Sequence, residues 1–189
     1  DDDAILLYTG GTTGRSKGVR LSHLNAISNG LQLGYTCGFK SSDTYLHIAP
    51  MFHSADLIGT GFTLLGAAHA FLPQFTGENL LTTIQDLGVT STMMAPTMII
   101  VTLSECDLSE YDLSSLRYLM YGSSPMAAEW IGRTLDAFKG VDVVQGYGLT
   151  ETSPAAIINP LGVTEFNGSI GLPISSTDVT IRDDDGKVL

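Results

Sequence analysis

An α/β architecture with a largely parallel sheet is the fold class this 189-residue sequence predicts, and three observations predict it. Short apolar runs of strand length alternate with stretches of helical spacing along most of the chain, the order that builds parallel strands joined by crossover helices. The runs end in turns rich in Gly, Pro and Ser, so polar residues collect in the loops that follow the strands, where ligands of such sheets bind. Hydrophobic residues make up 43% and charged residues 15%, enough apolar surface at this length for one substantial core.

The first run, Ala4-Ile5-Leu6-Leu7-Tyr8, leads into a glycine-rich loop over residues 8–19. Ser22 then suits the cap of a helix through Leu24, Ala26, Ile27 and Leu31, so strand, loop and helix are expected in succession. Residues 44–49 form the next strand, stopped by Pro50, and residues 50–56 turn into an apolar helix reaching about residue 65. Residues 57–72, the most apolar region, are interrupted by Gly59, Gly61, Gly66 and His69 and divide into that core helix and a strand over 68–72.

A helix over residues 77–86 sets Leu80, Leu81, Ile84 and Leu87 at helical spacing, with Gly88 where a left-handed cap belongs. Residues 89–94 return as a strand, Pro96 opens a helix over 97–103, and residues 107–112 make a solvated link to a strand over 116–121. Pro125 suits the first position of a helix running to about residue 138, and residues 141–145 are the next strand. Asp183-Asp184-Asp185-Gly186 is an acidic turn before the start of another strand. Both ends read as cuts within a larger protein, the rival reading being a small domain with acidic ends.

The net charge of -11 argues against nonspecific binding of nucleic acid or anionic membrane, which needs clustered Lys and Arg. An anionic ligand would need local help from Arg15 and Lys17 or from a divalent cation. Two cysteines, Cys37 and Cys106, have no metal-ligand spacing and read as reduced thiols of a cytoplasmic protein. No signal peptide is visible, and no uninterrupted apolar run of about 18 residues suggests a membrane span. His23, His47 and His69 show no metal-ligand spacing and receive no chemical role.

Two stretches carry chemistry. The first, Tyr8-Thr9-Gly10-Gly11-Thr12-Thr13-Gly14-Arg15-Ser16-Lys17-Gly18-Val19, offers backbone N–H groups and hydroxyls to an anion. It is no P-loop, because Ser16 occupies the glycine place before Lys17 and Gly18 stands where a magnesium-binding hydroxyl is required. The dinucleotide pattern fails too, because Gly10, Gly11 and Gly14 have the wrong spacing. The second is Gln145-Gly146-Tyr147-Gly148-Leu149-Thr150-Glu151-Thr152. There Tyr147 can stack on a base, Thr150 can donate to a phosphate oxygen, and Glu151 can hold a magnesium ion that bridges phosphates. Each stretch also has a plain reading, a flexible loop and a turn with a core Tyr and a surface Glu.

Together they resemble the signature regions of the AMP-forming acyl-adenylate superfamily, which includes acyl-CoA synthetases, adenylation domains of peptide synthetases and firefly luciferase. Residues 8–19 are similar to its phosphate loop, and residues 145–152 to its Tyr-Gly-x-Thr-Glu segment. Gly122-Ser123-Ser124-Pro125 stands at the place of its adenine-flanking turn, and Gly168-Ser169-Ile170-Gly171-Leu172-Pro173 resembles its Gly-Ser-[Val/Ile]-Gly-x-Pro segment. Two departures, Gly10 for a common Ser and Ser16 for the usual Pro, remove a hydroxyl and some rigidity but leave Lys17 in place.

The resemblance implies nucleotide-binding roles for Thr9, Gly10, Gly11, Thr12, Thr13, Gly14, Lys17, Gly122, Ser123, Ser124, Pro125, Gln145, Gly146, Tyr147, Gly148 and Thr150. It implies catalytic roles for Lys17, His53, Thr150 and Glu151, with Glu151 as the metal ligand. His53 fits the pocket-side histidine of acyl- and aryl-CoA synthetases, its plain alternative being a satisfied core histidine. Asp56 lies out of register with the Asp that pairs the substrate amine in amino-acid-activating members. The expected acyl pocket comprises His53, Met94, Ala95, Met98, Tyr121 and Gly146, although methionines at such positions equally fill cores.

The implied function is ATP-dependent activation of a carboxylic acid, in first place a fatty acid, to an acyl adenylate, followed by transfer to CoA. ATP and Mg2+ serve the first half and CoA the second. Residues 1–189 would then be part of the adenylation core, without the small C-terminal lid, and inactive alone. A noncatalytic nucleotide- or acyl-binding module and a ligase that loads a carrier protein are the alternatives.

Overall fold

The structure, a computed structural model, describes residues 2–10 and 15–189. Gly11, Thr12, Thr13 and Gly14 of the phosphate-loop motif lie outside the described residues. The chain begins with a hairpin in which β1 (Asp3–Thr9) pairs antiparallel with β2 (Lys17–Ser22), bringing Thr9 opposite Lys17. The expected succession of strand, loop and helix is corrected here: the glycine motif joins two strands, and the helix follows the second. The cause is legible in β2, where Val19 and Leu21 turn inward between exposed Gly18 and Arg20, a two-residue period.

Helix α1 (His23–Cys37) starts as expected at Ser22, whose hydroxyl accepts from the Asn25 N–H while Asn25 accepts from the Ser22 N–H. It ends at Gly38 in the left-handed region, φ 65°. The alternation then runs through β3 (Thr44–His47), a 3-10 turn (Ser54–Ile58), α2 (Gly59–Leu64), β4 (Ala68–Phe71), α3 (Gly77–Leu87) and β5 (Ser91–Met94). It continues with α4 (Pro96–Glu105), β6 (Tyr118–Gly122), α5 (Ala128–Ala137) and β7 (Asp142–Gly148). Pro96 is the first residue of its helix as expected, but Pro125 is not. Helix α5 begins at Ala128 behind Ala127, whose backbone is extended, and Ser123 after the β6 residues takes a left-handed φ of 67°.

The main sheet has seven strands in the order β4-β3-β5-β6-β7-β8-β9, with β8 (Ala155–Ile158) and β9 (Leu172–Pro173) completing it. The first five are parallel and the last two antiparallel. The Gly-Ser-Ile-Gly-Leu-Pro segment thus ends as an edge strand against β8. Alternate residues of the strands enter two separate cores. Leu46, Met94, Leu119, Tyr121 and Val143 pack with Leu80 and Ile84 of α3, Ile99 of α4 and Ile131 of α5. Tyr45, Met93, Tyr118, Met120 and Val144 pack with Leu33 and Cys37 of α1 and Phe62 of α2. Burying some fifteen such side chains at roughly 1.5–3 kcal/mol each supplies the main driving force on either face. No helix among the described residues is long and apolar enough to cross a membrane.

Candidate active site

A cavity of about 370 Å³ opens on the α1–α2 side, at the carboxyl ends of the parallel strands and beside the antiparallel addition β8. Thr9 and Gly10 reach it from the end of β1, and His53, Ser54 and Ala55 from the turn after β3. Ser123 comes from the turn after β6, and Gly146, Tyr147, Gly148, Leu149, Thr150 and Glu151 from the end of β7. Met93, Met120, Val144, Ile58 and Ile158 give it an apolar floor.

Local chemistry fixes these residues. His53 precedes the 3-10 turn and its Nδ1 accepts from the Ala55 N–H at 3.1 Å, which leaves a neutral ring with its proton on Nε2. Ser54 Oγ lies 3.0 Å from Thr150 Oγ1, a hydroxyl pair that joins the turns after β3 and β7. The 150–155 turn is pinned from α1: buried Asn29 donates to the Ala155 carbonyl at 2.8 Å and the Thr152 carbonyl at 3.3 Å, and accepts from the Ala155 N–H at 3.3 Å. Gly148 is required by close approach, since a Cβ there would collide with the Pro154 carbonyl where β7 and β8 pair. Gly122 similarly lies against the Gly146 carbonyl.

Of the expected nucleotide-binding residues, Thr9, Gly10, Ser123, Gly146, Tyr147, Gly148 and Thr150 are brought together at this cavity, with His53 and Glu151. Lys17 is exposed on β2, paired with Thr9, and β2 packs beside the turn that carries Glu151. Gly122, Ser124, Pro125 and Gln145 do not line the cavity; the Gln145 side chain instead accepts from the Tyr121 hydroxyl at 3.2 Å.

Of the residues expected in the acyl pocket, His53 and Gly146 line this cavity and the others do not, because of the strand alternation. Met94 and Tyr121 are buried in the core on the opposite face of the sheet, with Met98 packed against it, and Ala95 is the cap of α4. Burial pushes the Tyr121 hydroxyl up to about 12, so it stays protonated. Met93 and Met120, register partners one residue away, supply the sulfur lining instead. Sequence reading also missed Ser54, Asn29, Ala155 and Ile158; only Ser54 had a signal, its place beside His53. Asp56, out of register for a substrate amine, is buried and bonded to His47 Nδ1 at 2.8 and 2.9 Å.

The residues fit a nucleotide and a magnesium ion. A Cβ at Gly10 would meet nothing within 4 Å and one at Gly146 only a carbonyl oxygen at 3.9 Å, so these glycines leave open room beside the cavity. Glu151 is exposed at the rim, and no group of three His, Cys, Asp or Glu suited to a metal exists among the described residues. Magnesium needs only one or two carboxylates when phosphates complete its shell.

A family profile described as "AMP-binding enzyme" matches residues 1–189. The chain is 36% identical over 176 residues to "Probable 4-coumarate--CoA ligase 1" of Dictyostelium discoideum, covering 90% of this chain and 32% of that protein. It is 35% identical over 184 residues to "Long-chain-fatty-acid--CoA ligase" of Bacillus subtilis, covering 95% and 33%. The fold superposes on the inhibitor-bound N-terminal domain of FACL13 from Mycobacterium tuberculosis with a TM-score of 0.88 at 30% identity, covering 100% of this chain and 48% of that one. The chain spans about a third of the length of the curated relatives it matches.

Proposed function

Because the chain belongs to the AMP-binding enzyme family, the acyl-adenylate superfamily that includes fatty acyl-CoA synthetases, we propose that it forms the nucleotide- and acid-binding core of an acyl-CoA ligase. In the first half-reaction a carboxylate oxygen of the acid attacks the α-phosphorus of ATP and the bond to pyrophosphate breaks. In the second, the CoA sulfur attacks the acyl carbon, AMP leaves, and the thiol proton passes to solvent. The observation that carries this reading is the single cavity uniting Thr9–Gly10, His53–Ser54 and 146–151.

Tyr147 stacks on the adenine within it, and Lys17, exposed on β2 beside the cavity, neutralises phosphate charge. Magnesium held by Glu151 would stabilise the charge spread over the phosphate oxygens. Thr150 has one hydroxyl proton; donating it to a phosphate oxygen requires that it accept from Ser54, so Ser54 orients that donor. With Nδ1 occupied by the Ala55 N–H, His53 keeps its Nε2–H for the reacting carboxylate. The apolar floor of Ile58, Met93, Met120, Val144 and Ile158 suits a hydrocarbon or aryl acid, the class spanned by relatives named for 4-coumarate and for long-chain fatty acids.

The test is calorimetric titration of the chain with ATP, with and without magnesium, in wild type, Glu151→Ala and Lys17→Ala. Binding should need magnesium and weaken about tenfold or more in each variant, as expected for losing a charge-assisted phosphate contact. Equal affinity in all three, or no nucleotide binding at all, overturns the assignments.

A further inference from the structure

Beneath the His53 turn runs a continuous line of hydrogen bonds that the adenylating reading does not use. The Asp56 carboxylate lies 2.8 and 2.9 Å from His47 Nδ1. His47 Nε2 lies 2.7 Å from His69 Nδ1, and His69 Nε2 lies 3.1 Å from Thr63 Oγ1. That hydroxyl is also 3.2 Å from the Gly59 carbonyl. His47 and Asp56 are buried, and His69 is the outer end. The His47 ring is fixed on all sides: it stacks on Phe71 at 4.7 Å, meets the edge of Tyr45 at 4.8 Å, and lies so close to Gly59 that a Cβ there would come within 2.8 Å of its Cε1.

Donor counting leaves two arrangements that differ by one proton. With both imidazoles neutral, His47 Nδ1–H donates to ionised Asp56, His69 Nδ1–H donates to His47 Nε2, and Thr63 donates to the bare His69 Nε2. The line then carries one negative charge, and the Gly59 carbonyl loses the Thr63 hydroxyl. With one proton added, His69 Nε2–H donates to Thr63, Thr63 turns to donate to Gly59, and the proton between the rings is shared. The line is then neutral.

We propose that Asp56, His47 and His69 are positioning residues that form a one-proton switch under the His53–Ser54 turn, the proton entering at Nε2 of His69. The switch reaches the turn through short bonds: the Asp56 N–H donates to the His53 carbonyl at 3.1 Å, and the Gly59 N–H donates to the Asp56 and Leu57 carbonyls. Asp56 from the 3-10 turn, His69 from β4 and Tyr45 from its own strand are the titratable groups facing His47. The packed elements α2 and β5 contain no titratable residue. Burial lowers the affinity of His69 for a proton, His47 lowers it further, and Asp56 opposes both. As control of the cavity this rests on the adenylating reading; the switch itself does not.

The switch is tested by 15N NMR of histidine-labelled chain between about pH 5 and about pH 8. His47 and His69 should share one midpoint, the bare-nitrogen signal of His69 Nε2 should vanish below it, and the amides of Asp56, Leu57 and Gly59 should shift with it. In His69→Gln that shared component should disappear while the fold persists. A His69 that titrates independently, or amide shifts retained in His69→Gln, overturns the proposal. Control of the cavity is read by titrating magnesium ATP at both ends of the range. Affinity should change by at least about fivefold more in wild type than in His69→Gln. An identical pH dependence in the two proteins overturns control, whereas absence of nucleotide binding overturns the adenylating reading and leaves the NMR result standing.

Discussion

Asp43 is a buried carboxylate at which the entrances of three parallel strands meet. It accepts from the Lys40 N–H at 2.7 Å, from the Thr90 hydroxyl at 3.1 Å and from Arg117, tying the residues before β3, β5 and β6 to one another. Removing one partner of such a pair strands the other, and Arg117 keeps about a third of its side chain in solvent. Asp43→Ala should therefore lower stability by about 3 kcal/mol, read from the urea midpoint at unchanged slope. A loss below about 1 kcal/mol would contradict this account. At this scale the sequence named the right neighbourhoods and sometimes the wrong neighbour. Met94 and Tyr121 flank the pocket in sequence, but a strand sends adjacent side chains to opposite faces, so Met93 and Met120 reach it. Likewise, His47 and His69 have no metal-ligand spacing in the sequence; only the parallel register, with Tyr45 opposite His69 and His47 opposite Phe71, makes them neighbours.

The elements were mostly legible, and the misses have two causes. Helices with a cap and a stripe, such as α1 behind Ser22 and α3 before Gly88, appear where their signals stand. The strand β8 is short and acquires its identity from the strand beside it, which local pattern does not contain, whereas the two-residue period of β2 was present and overlooked beside the glycine motif. The 150–155 turn depends on α1 in the same way. Asn29→Ala would leave the buried Ala155 N–H and C=O without that partner, at about 1–3 kcal/mol for each group left unmade. The expected result is faster amide exchange over residues 150–156, beyond that in the helices α3 and α4. Uniform exchange throughout would refute the role given to Asn29.

For the whole molecule, the alternation of strands and helices made the layered fold legible, but the strand order and the antiparallel turn at β8 rest on long-range pairing. One face of α1 also remains open to solvent at Ile27, Leu31 and Tyr35, the last 82% exposed. A global pH dependence follows from His69. Its affinity for protons is lowered by folding, so the unfolded chain binds more protons in the histidine range and stability rises with pH there. The contribution is complete above the ordinary value of 6.5 and is lost as pH falls through the lower folded value. The thermal midpoint should drop between about pH 7 and about pH 5, less steeply in His69→Gln. Equal slopes in the two proteins would exclude His69 as the source. Cys37, whose thiol burial pushes up to about 12, should resist alkylation at neutral pH until the chain unfolds.

The hydroxyl pair between Ser54 and Thr150 gives the cavity a low threshold. One neutral hydrogen bond contributes about 0.5–1.5 kcal/mol net, so losing this contact alone costs about one to three times the thermal energy. A bound phosphate oxygen would replace the contact that was broken.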